Sequence, residues 1–206
     1  MAESFTPGAT VVGLVFKNGV VLAAEKRVTY GFMLLSRAGK KIFKITERIG
    51  IAAAGLISDM QTVAKVTAAE VRLYELEKGR RMSIRSVAKL VSYILSSNRL
   101  MPYYTELLVG GVDNTGPHLY VLDPLGALIE DKYVTLGTGA KMAIGILESE
   151  YREDLSKEEA VNLAIKAIKM AVSRDAISGD GIDLLVISTD EGLEERFIPL
   201  KTAGSG

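Results

Sequence analysis

Carboxylates, lysines and small hydroxyls are the groups this chain offers for chemistry. It has no Cys and one His in 206 residues, so a Cys–His pair cannot be built, and a Ser–His–Asp triad would have to use His118. His118 follows Pro117 at the start of an apolar run, the setting of a strand or turn residue with a satisfied ring. A zinc site with no Cys and no second His is short of ligands. Glu25 lies in Glu25-Lys26-Arg27 at the end of one apolar run, and Lys40-Lys41 opens another. A carboxylate such as Glu25 beside a lysine in a pocket would hold the ammonium in place, and the ammonium would favour the ionised form of a nearby hydroxyl. On spacing alone, solvated strand-end charges are the simpler reading. Gly137-Thr138-Gly139-Ala140-Lys141 leads into a helical pattern but lacks P-loop spacing, so a tight strand-to-helix turn explains it more simply than a phosphate site does.

The elements that must position these groups follow from periodicity. Thr10 to Phe16 and Val20 to Ala24 are β-prone runs around Lys17-Asn18-Gly19, a strong hairpin signal. Lys41 to Ile45 and Ile49 to Ala54 predict further strands. From Ser58 to Glu77 the residues Met60, Val63, Ala64, Thr67, Val71 and Tyr74 fall on one helical face, with Gly79 as the stop. Ser83 predicts the cap of a second helix, with Ile84, Val87, Val91, Ile94 and Leu95 on one stripe before Met101-Pro102. Leu107 to Val112 and Leu119 to Leu122 flank Asp113-Asn114-Thr115-Gly116, and Asp123-Pro124-Leu125-Gly126 is a second turn. Ala140 to Tyr151 and Ser156 to Ser173 read as helices, the latter opening with capping-box spacing, Ser156 to Glu159. Ile182 to Ser188 predicts a buried strand, and Phe197 to Leu200 a short last one. Sheets and helices in this order bury their faces most economically as an α+β, four-layer αββα sandwich, with two central, mostly antiparallel sheets and helices on both outer faces.

At 48% hydrophobic, the chain can bury the core of one domain. Its 25 basic and 25 acidic residues balance, and no basic run is long enough to track a phosphate backbone. That argues against nucleic acid as a partner. No apolar stretch reaches bilayer length, and the opening residues lack the pattern of a secretion signal, so a cytoplasmic protein that does not touch membranes is expected.

Thr10-Val11-Val12-Gly13, Lys17 through Glu25, Arg27-Val28-Thr29, Lys40-Lys41, Ala54-Gly55, Gly110 through Asp113 and Ser178 through Asp183, in this order and at these separations, resemble the proteasome β subunits of archaeal type. The short lead before the first strand favours β over α subunits. The resemblance implies an N-terminal nucleophile hydrolase, in which a Thr exposed by propeptide removal attacks the scissile carbonyl and its own α-amine serves as base. The unperturbed pKa of such an amine, about 7.7 to 8.0, suits that task without a His. It also implies seven-membered β rings stacked between α rings, unfolded polypeptide as substrate, and no cofactor.

Carried over position by position, the family's acidic residue falls on Glu25 and its Lys on Lys41. Its Asp and Ser near the nucleophile fall on Asp175 and Ser178, and the hydroxyl of its Gly-Ser-Gly falls on Thr138. Backbone groups at Thr29 and Gly55 would bind an extended peptide, the Gly55 amide facing the oxyanion. The nucleophile position falls on Ala9. A methyl group cannot attack a carbonyl, so the resemblance implies residues 1–8 as a retained propeptide-like segment, 9–200 as the domain and 201–206 as a flexible tail. Three readings stay open: a silent subunit working beside an active paralogue, an active subunit whose Thr at position 9 was replaced by design, or a chain active through Thr10.

Overall fold

The computed structural model describes residues 8–31 and 33–200. In chain order it contains β1 (Thr10–Phe16), β2 (Gly19–Glu25), β3 (Val28–Tyr30), β4 (Met33–Ser36), β5 (Ile42–Thr46) and β6 (Ile49–Gly55). Helices α1 (Ile57–Lys78) and α2 (Ile84–Ser97) follow, then β7 (Thr105–Asp113), β8 (Gly116–Leu122), β9 (Leu128–Glu130) and β10 (Tyr133–Gly137). Helices α3 (Ala140–Glu150) and α4 (Lys157–Val172), then β11 (Ile182–Ser188) and β12 (Gly192–Ile198), complete it. The expected propeptide-like segment, apart from Gly8, and the expected tail lie outside the described residues.

One sheet runs β10-β1-β2-β11-β12 and the other β5-β6-β7-β8-β9, with β3 and β4 paired as a separate ribbon. Three buried clusters define four layers, as the sequence predicts. Val12, Leu14, Phe16, Val21 and Ala23 face α3 and α4 residues such as Leu147 and Ala167. Val11, Val15, Val20, Leu22 and Ala24 face the second sheet through Leu108 and Leu119. The outer face of that sheet, including Ile51, Leu107 and Leu122, packs on Met60, Val63, Val87 and Val91 of α1 and α2. Covered on both faces, β1 and β2 show no polar alternation: every residue of each is buried. The sheets approach closely where side chains vanish: a Cβ on Gly50 would come within 2.2 Å of Leu185, and one on Gly13 within 2.8 Å of Leu108. Removing a core side chain such as Leu14 from packing of this kind costs about 2–5 kcal/mol.

Local signals act where the sequence placed them. Phe16 pairs with Gly19 across Lys17-Asn18. Gly79 ends α1 in the left-handed region at φ 62°, a conformation that costs Gly nothing. The Ser83 hydroxyl accepts from the Ser86 amide, and Ser156 and Glu159 form a reciprocal capping box. The last strand departs from expectation. It spans Gly192–Ile198 rather than Phe197–Leu200 and pairs along the whole of β11. It is a sheet edge, and the charges of Glu194, Glu195 and Arg196 hid it from a reading based on apolar runs. Strands β3, β4, β9 and β10, also unpredicted, are short, and β4 is exposed throughout.

Candidate active site

The start of β1, the end of β2, the residue before β5, the β10–α3 turn and the α4–β11 connection meet at one end of the sheets. Glu25 and Lys41 form an ion pair there, with side chains 0% and 1% exposed. Two charges so far from water are stable only when their remaining hydrogen-bonding capacity is met. The Lys41 ammonium donates to the Glu25 carboxylate, to the Arg27 carbonyl at 2.7 Å and to the Gly8 carbonyl at 3.4 Å. Besides Lys41, Glu25 accepts from the amides of Thr10 (3.2 Å), Arg27 (2.6 Å) and Gly179 (3.0 Å). Burial pushes the Glu25 carboxyl up and the Lys41 ammonium down, while their mutual attraction and hydrogen bonding oppose both shifts.

A second network sits beside the first. The Ser178 hydroxyl donates to Asp175 Oδ2 at 2.7 Å, and the Thr138 hydroxyl lies 2.6 Å from the same oxygen. Thr10 Oγ1 is 2.9 Å from Ser178 Oγ. With the Ser178 proton committed to Asp175, Thr10 is the donor in that contact. Thr138 Oγ1 also lies 3.4 Å from the Ala9 amide nitrogen and 3.2 Å from the Ala9 carbonyl, while Gly137 takes φ 88° beside Ala9. This turn carries Thr138 to residue 9 and delivers Gly139 as the N-cap of α3. It is a strand-to-helix turn around the β1 start.

Seven residues singled out from the sequence are therefore neighbours: Ala9, Thr10, Glu25, Lys41, Thr138, Asp175 and Ser178. The Ala9 methyl is fully buried, and its nitrogen is an amide joined to Gly8, without basicity. The Thr10 hydroxyl, one residue along the strand, is directed to Ser178 and is also fully buried. Thr29 and Gly55 lie outside both networks. Thr29 pairs with Leu34 in the β3–β4 ribbon, and its buried hydroxyl has no partner among the described residues. Gly55 closes β6 at φ 133° with Tyr104 backbone where a Cβ would stand, and the preceding Ala54 shares the inter-sheet cluster with Ala9. His118 is elsewhere, on β8, bonded to Thr115 and Glu130 at 2.7 and 2.6 Å.

Sequence reasoning gave Asp180 and Arg37 no role. Asp180 holds φ 70°, unusual for a non-glycine residue, with a side chain 2% exposed. It accepts from Arg27 Nε at 2.8 Å and from Arg37 Nη1 at 2.9 Å, and Arg27 Nη1 reaches the Ala176 carbonyl at 2.8 Å. The Arg27 guanidinium holds the Asp180 carboxyl below the usual range. These contacts lock the connection carrying Asp175 and Ser178 onto the end of β2. Gly179 permits the approach, since a Cβ there would meet Arg27 at 2.6 Å. The only sequence signal was the run Ser178-Gly179-Asp180-Gly181.

The fold and this polar end define a class: the chain belongs to the proteasome subunit family, whose pattern matches residues 5–187. Its relatives refine the assignment. It is 53% identical over 196 residues to proteasome subunit beta 2 of Pyrobaculum neutrophilum, covering 95% of this chain and 97% of the relative. Proteasome subunit beta 2 of Thermofilum pendens is 53% identical over 191 residues, 93% of each chain. Proteasome subunit beta 1 of Ignicoccus hospitalis is 52% identical over 181 residues, 88% of this chain and 91% of the relative. Within the family, the chain is a β subunit of the core particle. Among the described residues, no helix is long and apolar enough to cross a membrane.

Proposed function

We propose that this chain is a structural, catalytically silent member of the proteasome core particle, because Ala9 stands where the nucleophilic Thr is required. One observation carries the reading: residue 9 has no hydroxyl, although Glu25, Lys41, Thr138, Asp175 and Ser178 are ordered around it. Attack on a carbonyl needs an oxygen nucleophile, and loss of a catalytic nucleophile costs on the order of 10⁴–10⁶-fold in rate. The same missing oxygen would leave the Gly8–Ala9 bond intact and residue 9 without a free amine.

In this reading the chain shares rings with other β subunits, stacks against α subunits in the cytoplasm, and encloses a chamber where an active paralogue cuts unfolded polypeptide. The buried, Ser178-bonded hydroxyl of Thr10 supports this over activity through Thr10. Peptidase assays of particles assembled from α subunits and this chain alone, unmodified or carrying Ala9→Thr, provide the test. The unmodified particle is expected to show no turnover and the variant measurable turnover. Hydrolysis by the unmodified particle would defeat the reading, and an inert variant would show that more than the hydroxyl is missing.

A further inference from the structure

The β3–β4 ribbon is hydrogen-bonded to neither five-stranded sheet, and β4 is exposed along its whole length. Sheet pairing therefore does not fix the ribbon against the body of the protein. Its two chain ends instead meet at one carboxylate. Arg27 is the residue before β3 and Arg37 the residue after β4. Arg27 donates to Asp180 from Nε at 2.8 Å and from Nη2 at 3.3 Å, and Arg37 donates from Nη1 at 2.9 Å. The Gly39 amide closes the same base by donating to the Lys26 carbonyl at 2.9 Å.

Asp180 stands on the connection that carries Asp175 and Ser178. Among the described residues it is the one non-glycine at positive φ. Glycine takes that conformation without cost, so an Asp kept there with its side chain 2% exposed points to a use for the carboxylate. Arg27 carries the clamp inward: its amide donates to Glu25, its carbonyl accepts from Lys41, and its guanidinium reaches the Ala176 carbonyl. On the other side, the Ser178 hydroxyl is bonded to Asp175 and Thr10.

We infer that Asp180 is a positioning residue for the polar end around residue 9, clamping both ends of the β3–β4 ribbon to the connection that bears Asp175 and Ser178. The ribbon and those side chains then keep one relative position, and a displacement of the ribbon is passed to Ser178. Arg37 is the separable half of the clamp, since its side chain is 56% exposed against 25% for Arg27. The clamp acts whether or not residue 9 carries a hydroxyl.

Amide hydrogen exchange on the full chain, read by mass spectrometry, tests the coupling. Asp180→Asn suits the positive φ, because Asn tolerates the left-handed region, but it removes the charge. It is expected to speed exchange in β3, in β4 and at residues 175–181 by at least about tenfold. Arg37→Ala touches the connection only through Asp180, and it is expected to speed exchange in both segments by about threefold. Arg37→Lys, which keeps a cation, is expected to restore most of that protection. Arg152→Ala removes exposed ion pairs elsewhere, with Asp154 and Glu159, and is expected to leave both segments as in the parent. Protected amides in β1 and β7 show that each variant is folded. The inference is overturned if Arg37→Ala loosens β4 while residues 175–181 exchange as in the parent, if it changes neither segment, or if Arg152→Ala loosens both equally.

Discussion

The end of the molecule around residue 9 and the groove beside α1 and α2 both concentrate charge, and they treat it in opposite ways. Near residue 9 each ion has a partner: Lys41 with Glu25, both buried, and the more exposed Arg27 and Arg37 with the buried Asp180 carboxylate. In the groove, Arg48, Arg72, Arg80, Arg81 and Arg85 are exposed and form no ion pair among the described residues. Buried pairs become part of the scaffold, since an unmatched charge there would cost several kcal/mol. Exposed charge costs little and stays available to another molecule. The residue-9 end is thus organised internally, whereas the groove arginines have no ion-pair partner among the described residues.

The sharpest break of this contrast is Lys41→Met, which strands the Glu25 carboxylate at 0% exposure. Denaturant unfolding is expected to register a loss of about 3–5 kcal/mol. Adding Glu25→Gln should recover part of that loss, and a single-variant loss below about 1 kcal/mol would mean that the pair is hydrated. Next in size is Ser178→Ala, which removes a donor to Asp175 and the acceptor of Thr10. The expected cost is about 1–3 kcal/mol by the same measurement.

A smaller effect shows only in acid. The Asp180 carboxyl is held below its ordinary value of 3.8, chiefly by hydrogen bonding to Arg27. A group whose folded pKa is depressed contributes stability above its unfolded pKa and loses it as pH falls toward the folded value. Asp180→Asn should therefore flatten the decline in stability below pH 3.8, and an unchanged acid limb would count against the clamp. Least affected should be Arg81→Ala in the groove, within about 0.5 kcal/mol of the parent. A larger loss would mean that the groove arginines support the fold after all.

Local signals carried much of the fold. The Asn18-Gly19 hairpin, the Ser83 and Ser156 caps and the Gly79 stop depend on residues close in sequence, and each formed as read. The pairing of Glu25 with Lys41 depends on where the chain before β5 crosses the end of β2, and spacing along the sequence cannot encode that. Read by themselves, the two looked like solvated strand-end charges, while the structure buries both. Only the family resemblance had brought them together. Asp180 was overlooked because its partners lie 153 and 143 residues away, and β12 because an edge strand may carry charge at positions a central strand fills with Val or Ile.

The central claim is that a single missing oxygen at residue 9 silences an otherwise ordered site. Intact-mass spectrometry of the assembled particle after treatment with a β-lactone acylating agent tests it most directly, with the unmodified chain and Ala9→Thr run side by side. The account predicts a full-length, unacylated parent chain, and a variant that has lost residues 1–8 and gained one adduct on its new terminal residue. An adduct on the unmodified chain, or its cleavage after Gly8, would contradict the account.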